Sequence, residues 1–471
     1  MGKQHAIVIG GSIAGMCAAR VLSDYCDRVI VVDRDTYPSG PQERSGVPQS
    51  RHVHALLARG RQELERLFPG FDRTMLERGA HEIDFGLDFA TLRPTGWAPR
   101  QSDGLHLLFA SRTLLESVVR ELCRKNTNIE FLERTTVTGL AVAKNGRLRA
   151  IGVHMTSQDA EIPPTLEADL IVDASGRNSK SPEWLQDLGL TPPEESVVNS
   201  HTGYSSRWFA LPDASQWPQE WWWKGIWIDI AAPDHMTAGV LFPVEHNRCI
   251  VTLAGVAKQY PPNDEDGFMQ ALTTLRSPIV AETLRLAEPI SQVYSYRSMA
   301  NRFRHYEHWN ARLDGFVALG DSTCAFNPVY GQGMTTGTLS ALLLGDCVKR
   351  HGILHADLPQ IFFREQAQMQ KDPWTLATGA DFRFPATEGL RPKGAGVLDP
   401  YMRTLITLSN QDRVLQRRVG EVINMLRPPS ALFAPVIIGR VAWGALRNFF
   451  NRTPSHAQQV SAMPPVLMSV G

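Results

Sequence analysis

From His5 to Leu22 the chain reads HAIVIGGSIAGMCAARVL. Ala6, Ile7, Val8 and Ile9 form an unbroken apolar run, the pattern of a strand covered on both faces of a parallel sheet. Gly10 and Gly11 permit a sharp turn out of that strand. Ile13 to Leu22 then predicts a helix with Ala18, Ala19 and Leu22 on its buried face. In such a unit the first glycine makes the turn, and Gly15 lets helix and strand pack closely. Ser12 stands where a middle glycine is usual. It is small enough to keep the backbone open to an anion at the helix start, and its hydroxyl can donate to a phosphate. Ile13 and Ala14 carry the next backbone N–H groups.

The following apolar strand, Arg28 to Val32, ends in Asp33, eighteen residues after Gly15. That spacing suits an acid gripping an adenosine ribose hydroxyl. Arg34 beside it is placed to stack on the adenine or contact its phosphate. A glycine loop alone is a weak signal. Here strand, loop, helix, strand and terminal acid follow in order, which predicts a bound dinucleotide rather than an ordinary turn.

With 471 residues the chain can bury a large core divided among two or three subdomains. Its 48 basic residues balance 48 acidic ones, and neither sign forms a long block, so nothing recommends nucleic acid as a partner. Cys17, Cys26, Cys123, Cys249, Cys324 and Cys347 are scattered without a CxxC pair. This suits a reducing, cytoplasmic interior better than a disulfide framework, and no metal site is expected. The first apolar stretch is broken by glycines, so no signal peptide is expected. Ala431 to Leu446, ALFAPVIIGRVAWGAL, is interrupted by Pro435 and Arg440 and too short to cross a bilayer. It reads first as a packing helix, and otherwise as an amphipathic helix lying on a greasy substrate or membrane.

Thr36 to Ser50 is rich in Pro, Gly and Ser and predicts a long excursion on the ligand side, turning helical around His54. HEIDFGLDF and LHLLFAS predict short strands, and Ser111 predicts a helix N-cap. A β-meander follows, turning at Asn145-Gly146, and then the buried strand ADLIVDA from Ala168 to Ala174. Between about 195 and 300, alternating segments such as AGVLFPV and RCIVTLAG predict an antiparallel sheet. Five of the eleven tryptophans lie from Trp217 to Trp227. From Leu339 the pattern is helical, broken by the loop DFRFPATEGLRPKGAG. The expected architecture is α/β. A Rossmann-like domain with a parallel sheet takes residues 1–80, 105–190 and 300–350. An inserted antiparallel-sheet substrate domain takes 81–104 and 191–299, and a helical C-terminal region takes 351–471.

A second strand–loop–helix unit, GFVALGDSTCAFNPVYGQGMTTGTLSALLLGDCV, begins at Gly315, hundreds of residues after the first. Asp321 ends its strand, Pro328 stiffens the loop, and Gly331 to Met334 bring N–H groups to a helix start. An elongated ligand touched by both units explains the pairing. Asp321 suits a polyol hydroxyl, while the N–H groups near Gly333 and Met334, with the helix dipole, suit negative charge on a ring. FAD has a ribityl chain and a ring that becomes anionic on reduction, and NAD has neither.

GGSIAG paired with GDSTCAFNPVYGQGM resembles the FAD-dependent aromatic hydroxylase and epoxidase superfamily over most of the chain. The resemblance implies FAD binding through Gly10, Ser12, Ile13, Ala14, Gly15, Asp33, Arg34, Asp321, Gly331, Gly333 and Met334. It adds Arg44 at the pyrophosphate, Arg112 at a helix start, and the Val137 backbone beside the adenine. Two departures stand out. Thr335 replaces the usual asparagine after GQGM, and DASGRNS (Asp173 to Ser179) replaces the family's GADGxxS, which argues against direct action of Asp173 on a nicotinamide.

GVPQSRHVHALL, DASGRNS and WTLATGADFRFPATEG together look most like the flavin epoxidases of polyether ionophore biosynthesis. This implies epoxidation of olefins in a hydrophobic polyketide through a flavin C(4a)-hydroperoxide formed with molecular oxygen. NADPH or NADH would donate electrons, transiently bound or through a separate flavin reductase. Candidates for the reaction chamber are Phe326, Asn327, Pro328 and Val329 at the flavin face, and Tyr204, Trp223 and Trp227 on the sheet. His52 and His54 are read as loop histidines near the cofactor rather than metal ligands. The alternatives are a phenol hydroxylase and an isoprenoid-type flavin reductase. A flavin halogenase is disfavoured, since no lysine lies between Lys3 and Lys125 and WWWKGIW lacks a closing Ile-Pro.

Overall fold

The computed structural model describes residues 3–297, 299–391, 396–450 and 461–464. The predicted C-terminal region therefore extends in part outside the described residues. Five strands run parallel in the order Phe316–Ala318, Leu170–Asp173, His5–Ile9, Arg28–Val32 and Ile129–Leu132. Ala6, Ile7, Val8, Val29 and Val31 are wholly buried, as continuous apolar strands covered on both faces should be. Each such side chain contributes roughly 1.5–3 kcal/mol. This order sets the C-terminal ends of the first, fourth and last strands side by side, where loops from distant parts of the sequence meet.

The helix Ile13–Leu22 has the expected bounds, and the helix Arg112–Cys123 begins where Ser111 predicted. Ser111 caps the second, its Oγ accepting the Leu114 N–H at 3.1 Å. The meander forms from Thr135–Asn145, Arg147–Ser157 and Thr165–Glu167, turning through Gly146 at φ +82°. Two local expectations differ. The chain does not turn helical around His54, because the helix starts only at Ala58 after the short Pro48–Arg51 turn, and His52 and His54 are loop residues. Asp321 sits within a 3-10 turn rather than at the strand end, because Gly320 at φ +60° bends the chain away after Ala318.

The alternating middle region forms an eight-stranded sheet. Gly203–Ala210, Arg248–Gly255, Thr237–Val244 and Gly225–Ile228 pair antiparallel in that order. One pairing departs from the antiparallel expectation. Gly225–Ile228 runs parallel to Phe89–Arg93, which comes from a remote segment and has no hairpin to fix its direction. Strand alternation divides the sheet's faces. On the outer face Phe209, Ile226, Ile228, Val251 and Leu253 are closed by the helices Glu265–Thr273 and Ile279–Leu284. Trp227, Val240 and Phe242 lie on the opposite face and pack with Val53, Ala55 and Ala58.

Beyond residue 395, the helices Asp399–Leu408, Arg413–Ile423 and Pro435–Phe450 share a small core that includes Leu405, Leu415, Val419, Ile437 and Val441. Pro435 opens the last helix instead of interrupting it, since proline is tolerated in the first turn. Among the described residues no helix is long and apolar enough to cross a membrane. Asn424 ties this bundle to the rest, its Oδ1 accepting the Ala58 N–H at 3.1 Å.

Candidate cofactor site

The two glycine-rich units meet. A methyl group built on Gly320 or Gly337 would lie 3.1 or 3.0 Å from the Ala14 Cβ, and one built on Gly333 would lie 3.5 Å from Asp321 Oδ1. The start of the first helix, the Asp321 turn and the start of the helix Gly333–His351 thus form one concave edge. Gly10 takes φ +97°, and a Cβ there would press on the Ala174 carbonyl at 2.7 Å. This holds the first loop against the end of the neighbouring strand.

Around the first loop lies a charge cluster. Arg44 donates from Nε to Glu116 Oε1 at 2.7 Å, and from Nη1 to Asp35 Oδ2 at 2.8 Å and Asp33 Oδ2 at 3.1 Å. Arg112 donates to Ser12 Oγ at 2.8 Å and to Glu116 Oε2 at 3.2 Å, and Ser12 Oγ donates to the same Glu116 oxygen at 2.9 Å. Burial pushes the Glu116 carboxyl up, but Arg112 and Arg44 hold it below the usual carboxylate range. Arg44 and Arg112 are therefore not surface charges. Two buried cations beside a helix start that has no side-chain cap are a combination that suits a pyrophosphate.

Asp33 Oδ2 accepts the Gly11 N–H at 2.9 Å and the Tyr37 hydroxyl at 3.1 Å, while Oδ1 accepts the Asp35 N–H at 3.0 Å and keeps a further lone pair. Arg34 is exposed. The Thr135 N–H bonds the Asp33 carbonyl at 3.0 Å, which brings the buried Val137 strand alongside. Asp173 is saturated. It accepts the Ser175 N–H at 2.9 Å and the Ser322 hydroxyl at 3.2 Å, and it also takes the hydroxyls of Ser175, Ser179 and Ser181. It knots DASGRNS to the turn that carries Asp321.

Asp321 is different. Burial pushes its carboxyl up, moderated by Arg177, Arg112 and Arg302, and no side-chain or backbone donor among the described residues reaches it. Nearby, Gln332 Oε1 is buried without a partner, whereas Thr335 Oγ1, also unpaired, faces Gly60 on the other side of the helix. Buried polar atoms left unpaired at a helix start point to a polar ligand. An elongated molecule with a polyol next to a pyrophosphate fits this donor and acceptor set.

Residues 3–348 match the family of FAD-binding domains. The chain belongs to that family. It is also 30% identical to the protein Rv3254 of Mycobacterium tuberculosis (strain ATCC 25618 / H37Rv), over 98% of this chain and 97% of that one. Among solved structures it resembles the flavin-dependent brominase Bmp2 at 11% identity, with a TM-score of 0.65, covering 95% of this chain and 100% of the other. It also resembles PqsL, a probable FAD-dependent monooxygenase from Pseudomonas aeruginosa, at 14% identity and a TM-score of 0.59, over 81% and 97%. At such identities these likenesses establish the fold alone.

The ribityl hydroxyls of FAD would supply the donors that Asp321 lacks, so Asp321→Ala is expected to weaken FAD binding roughly tenfold to 100-fold. Because the substitution also removes a partly buried acid that no donor among the described residues reaches, the flavin-free chain should melt no lower than the wild type. Fluorescence titration and thermal melts measure the two effects separately.

Of the proposed chamber residues, Tyr204 alternates with Phe209 and so shares the inner sheet face with Trp227. Trp223 packs in the outer core and donates to Thr283 Oγ1 at 3.2 Å, so it lies apart from them. Its apolar surroundings are those of a core residue, which the local run of tryptophans hid. His52 meets Ser206 through Nδ1 at 2.8 Å and lies 5.8 Å from the Tyr204 ring at a tilt of 54°, and His54 Nδ1 contacts the His52 carbonyl at 3.0 Å. Burial, with the nearby Arg51, pushes His52 down to about 4, and burial, with Arg112, pushes His54 down to about 3. For such a depressed base the folded state is fully favoured above pH 6.5, and stability falls as pH drops from there toward 4. The melting temperature should therefore fall steeply below pH 6.5, and His52→Gln should flatten that fall.

Glu116, Asp35, Arg177 and Asp381 escaped the sequence reading. Asp381, the last residue of the helix Leu358–Asp381, accepts the Tyr330 hydroxyl and the Asn301 amide, each at 2.6 Å, and the Asn327 amide at 3.4 Å. Arg177 donates to the Phe326 carbonyl at 2.6 Å. These long-range anchors fix the Phe326–Val329 loop. A lone Asp in a loop-like motif gave no signal of that role.

Proposed function

We propose that this chain is an FAD-dependent monooxygenase that epoxidises olefins of a hydrophobic, polyketide-type substrate. The observation that supports olefin over phenol is that the two loop imidazoles are already engaged, His52 Nδ1 with Ser206 Oγ at 2.8 Å and His54 Nδ1 with the His52 carbonyl at 3.0 Å. His52 and His54 are held neutral and weakly basic by burial, at about 4 and about 3. A phenol must lose a proton as it is attacked, and an efficient base has a pKa near the working pH. An olefin needs no base. Asp381 does not fill the gap, because its oxygens are engaged by Tyr330, Asn301 and Asn327.

The bound FAD supplies oxygen activation. Arg44, Arg112 and the first glycine loop would hold its pyrophosphate, Asp321 would accept from its ribityl hydroxyls, and the N–H groups at Gly333 and Met334 would stabilise negative charge on its ring. The aromatic side chains Tyr204, Trp227 and Phe242 orient an apolar substrate and exclude water. Asp381 and Arg177 keep the Phe326–Val329 loop in place. Electrons come from NADPH or NADH, bound transiently or delivered through a flavin reductase. The test is turnover of a polyene polyketide and, separately, of a phenol, with reductant and ¹⁸O₂. An epoxide carrying one labelled atom is expected, and a hydroxylated phenol with the polyene untouched overturns the proposal.

A further inference from the structure

The helix Pro435–Phe450 uses one narrow side to hold onto the protein. Ile437, Val441 and Gly444 are buried, and a methyl group on Gly444 would come within 2.7 Å of Leu408 Cδ1, so the two helices pack closely. The other side is open among the described residues. Val436, Ile438, Trp443, Leu446, Phe449 and Phe450 are all exposed, with Trp443 at 70%, Phe449 at 76% and Phe450 at 75%. At 100° per residue these six, with the exposed Gly439 and Ala442, cover roughly 160° of the helix without a polar side chain. Arg440 and Arg447 stand just beyond one edge of this arc. The helix contains no acid.

An open apolar face can meet a partner protein, a second copy or a lipid surface. The charge distribution favours lipid. From residue 396 to 450 seven arginines stand against Asp399, Asp412 and Glu421, a net of +4 in a chain whose net charge is zero. Arg440 donates to Asp412 at 2.6 Å and remains 45% exposed. Arg447 is exposed, with a 3.4 Å contact to Gln411 as its polar partner. Large aromatics and aliphatics on one face, with arginines at the border, are what a helix needs to lie in the headgroup region of an anionic bilayer. A face of this size is uncommon on a protein that stays free in solution. The described residues that follow, Ser461–Pro464, lie elsewhere, with the Ser461 carbonyl accepting the Trp97 indole N–H at 2.9 Å and the Ala462 carbonyl accepting the Ser277 hydroxyl at 2.5 Å.

We infer that the helix Pro435–Phe450 docks this protein on an anionic membrane surface, lying in the interface without crossing it. The inference is independent of the reaction proposed above. It is tested by sedimenting the flavin-loaded full chain with phosphatidylcholine vesicles, with or without roughly one-third phosphatidylglycerol. Binding should be at least about tenfold stronger with the anionic lipid. The double variant Trp443→Ser/Phe450→Ser, both positions being solvent-facing, should lose at least about tenfold in binding while keeping its flavin spectrum and melting temperature. Failure to bind either vesicle, or equal binding by the double variant, overturns the inference. So does a stable wild-type dimer that the double variant converts to monomer while neither binds vesicles, which would make the face a contact between two copies.

Discussion

Gly15→Ala is expected to give a chain that purifies without flavin and takes up FAD at least about 100-fold more weakly than the wild type. The added Cβ would lie 1.8 Å from the Gly10 carbonyl oxygen and 3.0 Å from its carbon. Both are backbone atoms of the loop itself, so relief requires the helix Ile13–Leu22 to move off the strand His5–Ile9. That movement tilts the helix start, and with it the N–H groups aimed at the pyrophosphate. Gly40→Ala serves as the control, since nothing lies within 4 Å of a methyl group there. Visible absorbance of the purified proteins, followed by FAD titration, reads the result. Wild-type affinity in Gly15→Ala would show that the loop does not touch the cofactor.

Arg44→Ala should be the most destabilising change at the charge cluster, lowering unfolding free energy by about 3–5 kcal/mol. The Arg44 and Glu116 side chains are only 7% and 6% exposed, and removing the guanidinium leaves Glu116, Asp33 and Asp35 clustered without their shared cation. Arg44→Lys restores charge but cannot serve three carboxylates with one planar fork, so it should recover only part of the loss. Urea unfolding of the two variants decides this. Because Arg112 keeps its own bonds to Glu116 and Ser12, Arg44→Ala should also weaken FAD binding without abolishing it. An unchanged unfolding midpoint would return Arg44 to the class of solvated charges.

What the sequence disclosed were features with a local physical cause. Apolar runs marked the strands of the parallel sheet, small residues marked both glycine-rich turns, and Ser111 marked its helix. Alternation between about 195 and 300 marked the large sheet. What escaped depended on distant partners. The parallel pairing of Gly225–Ile228 with Phe89–Arg93 is set by topology, not by either strand's composition. Glu116 looks like any helical glutamate until Arg44 is folded onto it. Trp223 and Trp227 are four residues apart in one tryptophan-rich run, yet Trp227 faces inward from the strand Gly225–Ile228 while Trp223, in the segment before that strand, joins the outer core. Asp381 gains meaning only because its helix end returns to Asn301, Asn327 and Tyr330.

The central claim is that two strand ends separated by some three hundred residues hold one FAD molecule between them. Titration of the flavin-free chain with FAD, comparing the wild type with Gly15→Ala and Asp321→Ala, tests it most directly. The prediction is one FAD per chain, with affinity lowered by each substitution, one at either end. A wild-type chain that takes up no flavin, or an Asp321→Ala chain that binds FAD as tightly as the wild type, would contradict it.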